Sequence, residues 1–105
     1  LILAGHLMND LISTAIRNRC CLFVRCAEHE CMIEPHLLGL SANGKLLLKS
    51  YQPPIPDVPS PVAGWRTYRL EDIEEIELTD IPFPGPRADY DATQSGRIAK
   101  VICQL

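Results

Sequence analysis

Apolar residues at Leu11, Ile12, Ala15 and Ile16 recur at three- and four-residue intervals, the spacing that lines one face of a helix. Asn9 stands where an N-cap belongs, Asp10 suits the positive end of the helix dipole, and Arg17 and Arg19 suit the other end. A helix over 9–18 is therefore predicted. The period then changes from helix to strand. In 21–27, Leu22, Val24 and Cys26 alternate with Phe23 and Arg25. Glu28 and His29 make a hairpin tip, and residues 30–34 return as a second strand. Pro35 brings no ladder donor, so the strand bends there or lies at an edge. Residues 37–40 and 45–51 are predicted strands joined at Asn43-Gly44, a dipeptide suited to the positive φ of a tight hairpin turn. In the second of them Leu46 and Leu48 face the core, while Lys45, Leu47 and Lys49 face away.

Residues 52–64 carry five prolines and are expected to form a long extended loop. Trp65–Leu70 resumes the strand pattern, Glu71-Asp72-Ile73 is a tight turn, and 74–78 is a short strand with Ile76 and Leu78 inward. Residues 81–96 have no period and are expected to wrap over the surface, anchored by Phe83 and Tyr90. The end, 97–105, alternates weakly and is assigned as a strand. One helix with five or six closely spaced short strands predicts an all-β domain, a small and highly curved sheet or barrel.

The 105 residues suit one domain. No apolar run approaches the roughly 18–20 residues of a membrane span, and LILAGHL at the start lacks the features of a secretory signal. The first methionine is Met8, so residues 1–7 are expected to be an expression-vector remnant ahead of the native start. Ten Lys and Arg against thirteen Asp and Glu give a net charge of −3, which argues against a general duplex binder. Six of those acids fall in 71–80, so the rest of the chain is mildly basic. Cys20, Cys21, Cys26, Cys31 and Cys103 are an odd set, read as reduced, metal-free thiols of a cytoplasmic protein.

No phosphate-binding glycine loop, nucleophile elbow, HExxH or CxxC motif occurs, and neither a Cys31–His36 nor a Cys26–His29 dyad has an orienting third group. A non-enzymatic protein without a cofactor is expected. The distinctive stretch is Gly64-Trp65-Arg66-Thr67-Tyr68-Arg69-Leu70, whose arginines suit phosphates or carboxylates, although on a regular strand Arg66 and Arg69 point to opposite faces.

The order IEPHLLGL, SANG, KLLLKSY, a loop, WRTYRLEDIEEIEL and then PF resembles the WYL domain over about 15–83. The resemblance implies a small Sm-like β-barrel with one N-terminal α-helix and an extended C-terminal tail. It divides the chain into a barrel domain over 8–83 and a tail over 84–105 that packs on it. It also implies a bacterial, cytoplasmic role in transcription regulation, with nucleotide or nucleic-acid ligands sensed through side chains on the barrel. Arg66, Tyr68 and Arg69 match the family's Arg-x-aromatic-Arg element. Leu46-Leu47-Leu48 stands where the family has Trp-Tyr-Leu, and Asp72 stands where an Arg is common.

The expected function is ligand sensing. A small anionic ligand or single-stranded nucleic acid would be held weakly by Arg66 and Arg69, with Tyr68, Trp65, Lys49 and Arg25 assisting. The alternative is an assembly module in which strand edges and an exposed Leu47 pair with another copy or with a regulator chain.

Overall fold

The computed structural model describes residues 4–27, 29–53, 64–90 and 97–105. Most of the proline-rich loop expected at 52–64, Glu28 at the hairpin tip, and residues 91–96 of the tail lie outside the described residues. The chain is mostly β, with one N-terminal helix and an antiparallel sheet: α1 (Ala4–Asn18), β1 (Cys20–Cys26), β2 (His29–Ser41), β3 (Leu46–Gln52), β4 (Gly64–Arg69), a 3-10 turn (Leu70–Asp72), β5 (Glu75–Pro82) and β6 (Ile98–Gln104). No helix among the described residues is long and apolar enough to cross a membrane.

Helix α1 starts at Ala4, so Asn9 is an interior residue and not the N-cap; its Oδ1 is buried with no hydrogen-bond partner among the described residues. The helical stripe is where the spacing places it. Ile12, Ala15 and Ile16 are buried against Leu22, Val24, Ile33, Leu38 and Leu48 from the sheet. Arg19, at φ 56°, turns the chain out of the helix into β1.

The sheet order is β4-β3-β2-β1-β5, and β6 pairs with β2. The two strands expected on either side of Pro35 are one 13-residue strand, β2. Its residues 29–33 pair with β1, and Leu37–Ser41 pair with β6, while β3 occupies the other edge from Glu34 to Leu40. Pro35 falls between the β1 and β6 segments, where no ladder donor is required of it, so the strand continues through it. The pairing with β3 shifts between Pro35 and Leu37. This bulge turns His36 to the face opposite the helix, the device by which a bulge re-aims a side chain.

The turn at Asn43-Gly44 forms as expected, with Gly44 at φ 82° and its N–H donated to the Ser41 carbonyl. Leu48 is in the core and Leu46 packs against it. Leu47 is not exposed. It is 1% accessible, packed with Leu37 and Ile98 in a second small core, because β6 lies over that face of the β2–β3 pair. Leu78 also departs from expectation. Ile76 packs on the core, but β5 is the end strand of the sheet path and Leu78 stays 44% exposed on it. Of the two tail residues read as anchors, Phe83 is buried and Tyr90 half-buried.

Candidate functional site

Strand β4 pairs with β3 without a break, from Leu47 opposite Arg69 to Gln52 opposite Gly64. With no bulge to rotate one of them, Arg66 and Arg69 lie on opposite faces. The six residues read as a ligand site are therefore not brought together. Arg66 and Tyr68 face one side, Trp65, Lys49 and Arg69 the other. Arg25 lies away on β1, engaged by Glu74 at 3.0 Å and by Glu75. Arg69 is also occupied, by Asp72 at 3.0 Å.

Arg66 and Tyr68 line a cavity of about 260 Å3 between β4 and the tip of the β1–β2 hairpin, together with Gln52, Cys26, His29, Glu30 and Cys31. The Arg66 Nε donates to Gln52 Oε1 at 2.8 Å, and its two terminal nitrogens make no hydrogen bond among the described residues. The Tyr68 hydroxyl lies 3.4 Å from the Cys31 Sγ. Burial first, and then the contact with Cys31, push the Tyr68 pKa well above its ordinary value. Burial and then the neighbouring Cys31 likewise raise Cys26. Tyr68 and Cys26 therefore stay protonated at neutral pH, and the cavity presents their hydrogen-bonding groups together with the Arg66 guanidinium and the Glu30 side chain.

His36 is on the other face from this cavity, so the Cys31–His36 dyad does not exist. Among the described residues, no three His, Cys, Asp or Glu side chains are grouped to hold a metal.

The opposite face carries a cluster that the sequence reading did not find. Residues 83–90 fold back over β2 and β3. Arg87 makes a bidentate pair with the buried Glu34, 2.8 Å to each oxygen, and its guanidinium lies over the Tyr51 ring. The Arg87 backbone N–H donates to His36 Nε2 at 3.2 Å, which leaves Nδ1 as the protonated nitrogen, donating to the Glu34 carbonyl at 2.8 Å. Trp65, Phe83 and Tyr90 pack around the imidazole, and Lys49 sits over the Trp65 and Tyr90 rings. The Trp65 Nε1 donates to Asp89 at 2.9 Å. Trp65 and Lys49 thus serve to hold the tail, and their neighbours are aromatic rings, not an open anion site. The partners lie some 50 residues apart in an aperiodic tail, so no spacing signal marks them.

Burial lowers the His36 pKa from 6.5, with Arg87 and Lys49 adding to the effect and Glu34 opposing it. The unfolded chain then binds a proton that the folded chain does not. Stability is full above about pH 6.5 and falls as the pH drops below it, by at most about 1.4 kcal/mol per pH unit. Urea unfolding at stepped pH should show this slope, and His36→Gln should flatten it. An equal slope in both proteins would show that another group is responsible.

No protein-family model, curated protein or solved structure matches this chain.

Proposed function

We propose that the protein is a non-enzymatic, WYL-like sensing domain of cytoplasmic bacterial transcription control, which binds a small anionic ligand such as a nucleotide, or the end of a nucleic-acid strand, at Arg66. The observation that carries this reading is the state of Arg66. Arg25, Arg69 and Arg87 are each matched to a carboxylate, whereas Arg66 is held by the neutral Gln52 at the cavity with its terminal nitrogens unspent. A guanidinium oriented through Nε presents its remaining donors for phosphate or carboxylate. Tyr68 on β4 and Glu30 on the facing hairpin suit the hydrogen-bonding groups of a base or sugar. The cavity lies just below the roughly 300–1,000 Å3 of ordinary ligand sites, which favours one nucleotide unit over a longer strand.

An Sm-like barrel, left unpaired between β4 and β5 among the described residues, is part of the proposal. It is supported by the leading helix, the bent β2 shared along its length, and the short 3-10 link that joins β4 to β5, the two ends of the sheet path.

Calorimetric titration with mononucleotides and short single strands at low salt tests the reading. Binding should be micromolar or weaker, about 8 kcal/mol or less in magnitude, and should weaken as salt rises. Arg66→Ala should lose roughly 10- to 100-fold in affinity, the usual worth of a hydrogen bond to a charged group, while Arg69→Ala changes it little. No binding by the unaltered protein at low salt would overturn the proposal, as would equal losses from the two variants.

A further inference from the structure

The large apolar residues that remain exposed among the described residues fall on two strands only: Leu78 and Ile81 on β5, Val101 and Ile102 on β6, between 38% and 47% accessible. Both are outer strands. β5 pairs only with β1, and β6 only with β2, among the described residues. Their charges are opposite. β5 carries Glu77 and Asp80, and β6 carries Lys100 with Arg97 just before it; none of the four makes an ion pair among the described residues. Other described charges, Arg66 and Glu30 among them, also make no ion pair, but β5 and β6 are where unmatched charges lie beside exposed large apolar residues, acidic on one strand and basic on the other.

We propose that the β5 edge of one copy docks on the β6 edge of a second copy. The spacing fits an antiparallel approach. Glu77 and Asp80 are three residues apart, as are Lys100 and Arg97, so Glu77 meets Lys100 where Asp80 meets Arg97. Leu78 then comes diagonally beside Val101, and both leave water. Each strand is irregular between its two charges: β5 in its pairing between Leu78 and Pro82, β6 at Ala99. Neither charge pair has to bridge a straight edge against a bent one. The two edges are different surfaces, so the contact is head-to-tail and a growing assembly keeps one edge of each kind open, at its two ends, for the next copy. One pair of short strand edges buries less than the roughly 800 Å2 per partner of a stable interface, so assembly is weak and grows with protein concentration.

Sedimentation velocity across a concentration series, from micromolar to near-millimolar and at low and high salt, tests this. The mass should rise with concentration beyond a dimer and fall with salt. The pair Glu77→Lys with Asp80→Lys, and separately the pair Arg97→Glu with Lys100→Glu, should each give monomer with an unchanged far-UV spectrum. An equimolar mixture of the two reversed proteins should associate again, because each then offers an edge that the other can match. Should a reversed protein fail to fold, the neutral pair Glu77→Gln with Asp80→Asn must still weaken association. A monomer throughout the series would overturn the proposal, as would association that survives both reversals or a mixture that stays monomeric.

Discussion

Leu48→Ala is expected to lower the free energy of unfolding by about 2–5 kcal/mol, a large share of the roughly 5–15 kcal/mol of a small domain. Leu48 is fully buried at the centre of β3, opposite Leu38 and Tyr68 on its flanking strands and in one core cluster with the helix residues Ile12, Ala15 and Ile16. Removing three carbons leaves a void bounded by paired strands, which collapse poorly, so the cost should lie toward the upper part of that range. Urea unfolding with an unchanged m-value measures it. A variant as stable as the parent would mean that the helix does not seat on this part of the sheet.

A methyl group at Gly39 is expected to be nearly as damaging, for the opposite reason. A Cβ there would stand 2.5 Å from the backbone carbonyl of Lys100 and 2.5 Å from the Cγ2 of Ile98. Ile98 could change rotamer, but the carbonyl belongs to β6 itself and can move only with the strand. Gly39→Ala should therefore cost about 1–3 kcal/mol and loosen β6, together with the small core of Leu37, Leu47 and Ile98. Thermal unfolding gives the size, and faster amide exchange in 98–104 gives the place. A loss without faster exchange in β6 would put the strain elsewhere.

Much of the sheet was legible because its residues obey period two. Leu22, Val24, Leu46 and Leu48 face the helix as alternation requires, and Asn43-Gly44 marks its own turn. What escaped the sequence reading depends on partners that no local pattern contains. Pro35 reads as a break unless it is known that its edge of β2 falls between two partner strands. Leu47 reads as a solvent residue because alternation supposes one wet face, whereas β6 covers that face. The helix start was misplaced because Asn9 has the chemistry of a cap without the position of one. The separation of Arg66 from Arg69 was foreseeable from strand geometry alone. The Glu34–Arg87 pair and the His36 contact were not, because they come from a tail whose residues follow no period.

The long shared strand has a consequence for how the domain opens. Most of β2 is paired along one edge or both, to β1, β3 and β6, so freeing it requires those ladders to break together. Among the described residues, strand β4 is held along one edge only, by β3. Opening free energy is therefore graded across the sheet, highest at β2 and lowest at its outer strands. Arg66 lies on one of the low-cost strands, next to Gln52 on the better-held β3. A ligand bridging β4 to the β1–β2 hairpin tip would spend its binding energy on quieting an outer strand, and the core beneath would not have to rearrange.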